Sequence, residues 1–481
     1  MANSKVLKAG LGYTIGNYLI KGLSFISIPI YTRLLSTADY GAFNNFMTYE
    51  GIFFIIVGCA IHSSYKSARY KYGLVREGAK IGKDYHSYVS TTIAFVLLCG
   101  LLWWFLANIF MNYLTGMLKM SCLSINLLVI YSVASELIVC FNEDISINYE
   151  YKSFLLISGI NAIGTILISI LLLLTILSKQ RYIAMVWGAS LPTIFVSIYV
   201  IFYFFKRARP NNFTKFIKWG LIYSLPIVPH GLSQVILSQF DKIMITNMVS
   251  LAATGIYSFS YNIYTILAVT FSSLDNVWSP WFYEKMRQRN YKNIRYISNI
   301  YMILMLFLTV ELILVSPELI RILGQKNYWP AEFSAIPVVA GGYFAFLYTI
   351  PCEVEYYHEK TKWIAVATSV AAVVNIILNY IFIKEYGYIT AAYTTWVTYM
   401  LYFGFHLWMA KKIQGWNLFS IKIILACSFL LIFVSAFSLV FIGNILMRWT
   451  LGIILGIIVI LCEEKKYGLI VKKISIKRKS K

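Results

Sequence analysis

The chain alternates between long apolar stretches and short polar segments from one end of the sequence to the other. A helix needs roughly 20 apolar residues to cross the hydrocarbon core of a bilayer, and the apolar stretches have about this length. We therefore predict an all-α integral membrane protein with about fourteen transmembrane helices. The predicted spans lie near residues 10–35, 41–65, 88–112, 121–142, 154–178, 182–205, 219–247, 254–282, 297–316, 332–356, 363–384, 388–410, 420–442 and 445–462.

Composition and charge support this interpretation. Of 481 residues, 59% are hydrophobic and 13% are charged, which leaves too few polar side chains to cover a soluble domain of this size. The net charge is +22, but the basic residues cluster in alternate predicted loops, for example between Lys66 and Lys83 and between Lys206 and Lys218. This distribution follows the positive-inside rule with both termini in the cytoplasm. We therefore expect the basic segments to contact lipid headgroups, and we predict no nucleic-acid partner.

Weak internal similarity relates the first part of the chain to the second. The segments around Gly41 and Gly255 align, and Tyr182 falls on Tyr388. We therefore predict two pseudo-symmetric six-helix lobes around a central cavity, followed by two extra C-terminal helices, an arrangement typical of transporters. The predicted regions are an N-lobe with helices 1–6 (1–210), a C-lobe with helices 7–12 (211–412), and helices 13 and 14 with a basic cytoplasmic tail (413–481).

The first predicted span carries polar side chains on one helical face. Asn17, Lys21 and Ser24 are spaced three and four residues apart, which places them on the same face of a helix. Ionisable side chains cost about 2.5 to 3.5 kcal/mol each within a membrane and usually face a cavity or one another. We therefore interpret Lys21 as an anion contact, in preference to a lysine that snorkels to the interface. Pro29 is predicted to interrupt the helix before Arg33, which is either a second contact or an interfacial anchor.

Further candidates lie in other spans. Span seven carries Gln234 and Asp241 on one face, with Lys242 at its edge. Gln234 and Lys242, together with Asn17, are candidate substrate contacts, although the adjacent charges of Asp241 and Lys242 would also suit the outer interface. Asp241, Glu50 and Asp275 are candidate ion-coupling residues, because each is a carboxylate in apolar surroundings.

The sequence indicates no covalent chemistry. It shows no phosphate loop, no metal-ligand spacing among its seven cysteines and no catalytic Ser, His and Asp set. His62 and His406 are interpreted as packing or interface residues rather than ligands. We therefore predict a protein that is not an enzyme, with no catalytic residues, no metal and no cofactor.

Several segments resemble a known family. Residues 17–41, NYLIKGLSFISIPIYTRLLSTADYG, resemble the first-helix signature of the polysaccharide repeat-unit flippases of O-antigen and teichoic type, which runs through a KG pair, a Pro, a YTR and a final YG. The similarity continues in order through 225–245, 255–263, 277–284 and 375–395. It implies membership of the multidrug, oligosaccharidyl-lipid and polysaccharide exporter superfamily, with V-shaped lobes around a central cavity.

The resemblance also implies a function. It suggests that the chain moves an undecaprenyl-pyrophosphate-linked oligosaccharide, for an O-antigen or a capsule, from the inner to the outer leaflet of the bacterial cytoplasmic membrane by alternating access. A polysaccharide polymerase and a chain-length regulator would be further partners. In that scheme Lys21 and Arg33 contact the pyrophosphate, and one of the three carboxylates binds a proton or a sodium ion. Three alternatives stay open: a cation-coupled multidrug antiporter, a flippase for the peptidoglycan precursor, and a membrane-embedded polysaccharide polymerase.

Overall fold

A computed structural model of the protein describes residues 2–73, 83–415, 418–459 and 461, and these residues form helices and no strands. Within these residues, each of the fourteen predicted spans falls on one helix or on consecutive helices separated by short breaks. The helices are α1 (Ala2–Leu34), α2 (Thr37–Val57), a 3-10 helix (Ile61–Ser64), α3 (Tyr65–Tyr72), α4 (Lys83–Ile109), α5 (Met111–Leu118), α6 (Cys122–Ile147), α7 (Tyr151–Leu174), α8 (Arg181–Arg207), α9 (Phe213–Ser224), α10 (Ile227–Met248), α11 (Leu251–Arg287), α12 (Tyr291–Leu323), a second 3-10 helix (Lys326–Tyr328), α13 (Ala331–Leu347), α14 (Thr349–Tyr357), α15 (Thr361–Tyr386), α16 (Thr390–Gln414), α17 (Ile421–Val440) and α18 (Ile445–Val459).

Many of these helices are suited to a membrane. Among the described residues, eight segments are long and apolar enough to cross a bilayer, or ten if each of two bent helix pairs is one span. The bent pairs are α2 with the 3-10 helix and α3, at 50°, and α9 with α10, at 48°. The four other predicted spans lie on α1, α11, α16 and α18. The all-α membrane fold is thereby confirmed, whereas the total of fourteen crossings stays a prediction.

The two bends have different local causes. Pro226 lies between α9 and α10, where its ring and its missing amide hydrogen prevent a regular helix from continuing. After α2, Gly58 is followed by Cys59 and Ala60, which both adopt left-handed backbone with φ of 51° and 49°. This conformation is unfavourable for residues with a side chain, so surrounding contacts must stabilise the second bend.

The first helix differs from its prediction. α1 continues as one helix through Pro29, so the predicted interruption before Arg33 is wrong. Ile28 and Tyr31, on either side of the proline, are both buried. Packing of this kind supports a proline within a membrane helix, because neighbouring elements compensate for the lost backbone hydrogen bond.

The chain divides into two compact units. The first contains Met1–Ser258, Leu323–Tyr328 and Ala365–Ala391, and the second contains Phe259–Ile322, Trp329–Ile364 and Ala392–Lys481. Within the first unit, α6 packs against α2, α4 and α8, while α7 packs against α1 and α8. Within the second, α13 packs against α17. The predicted lobe boundaries at residues 210 and 412 stay a prediction.

Candidate functional site

Helix ends from distant parts of the sequence meet within the first unit, in a region that we call the helix-end cluster. It comprises the end of α1, the start of α2, the start of α11 and Leu323–Tyr328. The Thr32 hydroxyl donates to the carbonyl oxygen of Leu323 at 2.7 Å, across 291 residues of sequence. The Tyr328 hydroxyl donates to the carbonyl oxygen of Ser36 at 3.0 Å. Thr32 and Tyr328 are almost fully buried, so these bonds form in a region of low polarity, where they hold the segments firmly.

Gly41 and Gly255, which the internal similarity aligns, contact each other in this cluster. A β-carbon at Gly41 would lie 1.8 Å from the Leu251 carbonyl oxygen and 2.8 Å from the Gly255 nitrogen. A β-carbon at Gly255 would lie 1.9 Å from the Thr37 carbonyl oxygen. Only glycine lets two backbones approach so closely. Contact between equivalent positions is also what two copies of a repeat produce when they pack around a symmetry axis.

The polar face of α1 is exposed in the middle of the helix and buried towards the helix-end cluster. Lys21 and Ser24 are exposed. Farther along the same face, Ile28, Thr32 and Leu35 are only 8%, 0% and 3% exposed. A lysine side chain in the middle of a membrane helix has a far lower free energy in contact with water than in contact with lipid. The open part of this face is therefore a candidate wall of a hydrated cavity.

The other two predicted contacts on α1 lie apart from Lys21. Arg33 is exposed near the end of the helix, and its carbonyl oxygen accepts a hydrogen bond from Gln325 at 3.4 Å. At 1.5 Å per residue, twelve residues place Arg33 about 18 Å along the helix from Lys21. Arg33 therefore lies about three helical turns beyond Lys21. The side chain of Asn17 lies outside the described residues.

The charged residues of α10 are buried and bonded. Asp241 and Lys242 are 1% and 7% exposed. The Asp241 carboxylate accepts hydrogen bonds from the Tyr257 hydroxyl and, at 2.8 Å, from the backbone amide of Lys242. The Lys242 ammonium group donates to the side-chain oxygen of Gln239 at 2.6 Å. Gln234 is half-buried on the same helix.

The ion-coupling candidates are divided between the two units. Glu50 is half-buried on α2 and belongs, like Asp241, to the first unit. Asp275 is half-buried on α11 and belongs to the second unit. The roles of all eight predicted site residues stay predictions.

The structure also contains two histidine–glutamate pairs that the sequence did not indicate. His62 Nδ1 lies 2.9 Å from both carboxylate oxygens of Glu136, and His406 Nδ1 lies 2.5 Å from Glu355 Oε1. Both glutamates and His406 are fully buried. The partners are 74 and 51 residues apart in sequence, so no local pattern reveals the pairing. The one available signal is that a lone histidine and a lone acidic residue occur in different apolar segments.

Comparison with known sequences places the chain among polysaccharide biosynthesis proteins. A family model described as polysaccharide biosynthesis protein matches residues 6–286. A membrane protein of Haemophilus influenzae is 24% identical over 370 residues, which are 73% of this chain and 84% of that protein. The Lsg locus putative protein 1 of the same organism is 21% identical over 297 residues, 59% of this chain and 68% of that protein.

Solved structures share the fold. The lipid II flippase MurJ in an inward closed conformation has a TM-score of 0.69 at 18% identity, over 93% of this chain and 97% of that chain. An inward-facing multidrug resistance MATE family transporter of the MOP superfamily has a TM-score of 0.64 at 12% identity, over 82% of this chain and 95% of that chain. The fold is therefore similar to that of a lipid II flippase and of a multidrug resistance MATE family transporter. Because the family model matches more than half of the sequence, the chain belongs to the polysaccharide biosynthesis protein family.

Proposed function

We propose that the chain is a flippase that moves an undecaprenyl-pyrophosphate-linked oligosaccharide repeat unit from the inner to the outer leaflet of the bacterial cytoplasmic membrane. The main support is that a member of a polysaccharide biosynthesis family has, over 93% of its length, a fold similar to that of a lipid II flippase. The topology in this proposal has both termini in the cytoplasm, as the positive-inside rule predicts. A polysaccharide polymerase and a chain-length regulator are the proposed downstream partners.

Physical chemistry explains why such a substrate needs a carrier. Around ten hydroxyl groups at about 0.5 to 2 kcal/mol each, together with a pyrophosphate, give an unaided crossing barrier on the order of 20 kcal/mol or more. At this barrier one crossing takes on the order of a minute, and longer for larger head groups. A hydrated path lowers the barrier because the polar head stays in water while the lipid tail stays in the bilayer.

In this proposal the polar face of α1 forms part of that path. Lys21 pairs with phosphate oxygens, which accept strong charge-assisted hydrogen bonds. Lys21 and Arg33 are about 18 Å apart along α1, and in this proposal the pyrophosphate contacts first one and then the other. Outward movement of an anion from a negative interior also gains about 2.3 kcal/mol per charge per 100 mV.

Replacing Lys21 with alanine tests this role. A hydrogen bond to a charged group is worth about 1.5 to 3 kcal/mol, so Lys21→Ala should reduce surface polysaccharide roughly ten- to a hundredfold in a strain whose only copy is the variant. The amount of protein in the membrane should not change, because Lys21 is exposed. Lys152→Ala, which removes another exposed lysine at the start of α7, is the matched control. Wild-type polysaccharide in the Lys21→Ala strain would refute the role of Lys21.

We further propose that an inward-moving proton or sodium ion resets the carrier, with Asp241, Glu50 and Asp275 as candidate sites. Asp241 has the strongest support, because it is a carboxylate at 1% exposure and a buried charge of this kind is kept only when a partner stabilises it. Transport in proteoliposomes should accelerate when a pH or sodium gradient is imposed, and Asp241→Asn should lose that acceleration. Wild-type transport that responds to neither gradient would contradict the coupling.

A flippase for the peptidoglycan lipid precursor is the second candidate, because the lipid II flippase MurJ has the same fold. The two candidates differ in the head group that they carry. Complementation separates them, since only a peptidoglycan-precursor flippase restores growth to a strain depleted of its own. Under the primary proposal the chain restores surface polysaccharide and does not restore that growth.

A further inference from the structure

We propose that His62 and Glu136 form a proton-binding site that controls the bend between α2 and α3. The role of this site in a transport cycle rests on the proposed function. In that cycle, proton binding alternates with movement of the substrate. Proton binding and its effect on the bend are measurable without any substrate. The site is separate from the three carboxylates considered above.

The pair connects the two sides of the bend to a third helix. His62 lies on the 3-10 helix that follows the bend, and Glu136 lies on α6. Both carboxylate oxygens of Glu136 are 2.9 Å from His62 Nδ1, and the imidazole ring stacks on Phe54 of α2 with a centroid distance of 5.8 Å. The strength of the pair therefore determines how firmly the segment after the bend is held against α6.

The bend itself needs this support. Cys59 and Ala60 both have positive φ, a backbone conformation that is unfavourable for residues with a side chain. Gly58 provides the space for the carboxylate, since a β-carbon there would lie 2.9 Å from Glu136 Cγ. Such a conformation persists only while neighbouring contacts stabilise it, and the contact between His62 and Glu136 is one of these.

The charge of the pair depends on one proton. With the proton bound, an imidazolium faces a carboxylate and the pair is neutral. Without it, a net negative charge remains on Glu136, which is 0% exposed. A buried charge without a compensating partner is strongly unfavourable. Loss of the proton therefore favours a conformation in which Glu136 reaches water, and the strained bend is the element free to change.

The nearest other charges are arranged as a separate pair. Glu143, two turns farther along α6, forms an ion pair with Lys66 of α3 at 3.2 Å. Lys66 is largely exposed and Glu143 is partly exposed, so water screens both. The Cys140 thiol lies 4.0 Å from Glu136 Oε1 and donates weakly to it. A second thiol, that of Cys59, lies in the bend itself.

Other elements packed around the bend contribute further titratable groups. The hydroxyl of Tyr88 on α4 hydrogen-bonds that of Ser64 at 2.6 Å. Lys215 and Lys218 of α9 are exposed, and His230 of α10 is half-buried. Tyr65 is hydrogen-bonded to Thr92, and Tyr85 and Arg207 both contact Asp144. Of the titratable groups named here, His62 is the one whose ring nitrogen lies within hydrogen-bond distance of both Glu136 oxygens.

Pulsed electron resonance on the full chain in lipid nanodiscs tests the proposal. Spin labels at Tyr70 of α3, which is 72% exposed, and at Lys152 of α7, also exposed, report the position of α3. Attachment through a ketone-bearing amino acid leaves the seven native cysteines unchanged. Between pH 5 and pH 9, without substrate, we expect the distance distribution to shift. A wild-type distribution that is the same at all pH values would overturn the proposal.

Two variants and one control assign the shift to the pair. His62→Gln keeps a hydrogen-bond donor of similar size that cannot take up a proton, and Glu136→Gln removes the charge of the carboxylate, so both should lose the shift. Lys66→Gln removes a nearby exposed charge and should keep it. A shift that persists in both His62→Gln and Glu136→Gln, or one that Lys66→Gln abolishes equally, contradicts the site.

Transport measurements distinguish this inference from the proposed function. If the wild type shows the shift but moves no lipid-linked oligosaccharide in proteoliposomes, the proposed function fails and the proton site stands. If His62→Gln transports at the wild-type rate with the wild-type response to a pH gradient, the role of the site in the cycle is refuted while the proposed function stands.

Discussion

Replacing Gly41 or Gly255 with alanine is expected to reduce transport at least tenfold and to lower the midpoint of thermal unfolding. The added β-carbon would lie 1.8 or 1.9 Å from a backbone carbonyl oxygen of the opposing helix. Backbone cannot rotate away as a flexible side chain does, so the starts of α2 and α11 must separate. Overpacking of this kind costs about 1 to 3 kcal/mol or more. The readouts are surface polysaccharide in cells and unfolding of the purified protein.

The chain offers a matched control for these two variants. Gly159 is also a helical glycine, on α7, but a β-carbon there would meet nothing within 4 Å. Gly159→Ala should leave transport unchanged and should stabilise the helix slightly, because alanine favours a helix over glycine by about 1 kcal/mol. Full transport by Gly41→Ala and Gly255→Ala would show that the close contact in the helix-end cluster is not needed.

Replacing Arg448 with methionine is expected to destabilise the protein by about 3 to 5 kcal/mol, because it leaves a partly buried carboxylate without its partner. Arg448 is fully buried near the start of α18. Its guanidinium group donates to both carboxylate oxygens of Glu318 on α12 and, at 2.6 Å, to the carbonyl oxygen of Leu314. These bonds join α18, the last described helix, to α12 within the second unit. Thermal unfolding in detergent and the yield of folded protein measure the effect.

Two further variants define the origin of that loss. The double variant Arg448→Met with Glu318→Gln removes the unpaired charge and should recover part of the stability. Lys285→Ala breaks an ion pair with Glu284, a residue that is 53% exposed, and should change stability by no more than about 1 kcal/mol. An unfolding midpoint for Arg448→Met equal to that of the wild type would contradict an anchoring role for this arginine.

The positions of the helices could be predicted because each apolar stretch is long enough to be recognised as a membrane-spanning segment. The bend at Pro226 could be anticipated, since proline interrupts a helix by a local mechanism. The bend after Gly58 could not, because it depends on the space that this glycine leaves for Glu136 of another helix. The interruption predicted at Pro29 is wrong, because buried neighbours keep α1 helical through this proline.

The candidate site was predictable only in part. Lys21 stands out in the sequence because a single charge in an apolar helix is unfavourable unless it faces water or a partner. The partners of buried charges do not stand out: Arg448 and Glu318 are 130 residues apart, and His62 and Glu136 are 74 apart. Gly41 and Gly255 were aligned by the repeat, but their contact depends on how the helices pack. Such pairings are properties of tertiary structure.

The central claim is that this chain moves a lipid-linked oligosaccharide across a bilayer through a path that includes Lys21. The most direct measurement uses the purified protein in proteoliposomes that contain a fluorescent undecaprenyl-pyrophosphate-linked oligosaccharide, and follows the fraction of head groups accessible to an added glycosidase. We predict transfer at least tenfold faster than in protein-free liposomes and at least tenfold faster than with Lys21→Ala. Transfer at the protein-free rate would contradict the flippase assignment, and equal rates for the wild type and Lys21→Ala would contradict the proposed path.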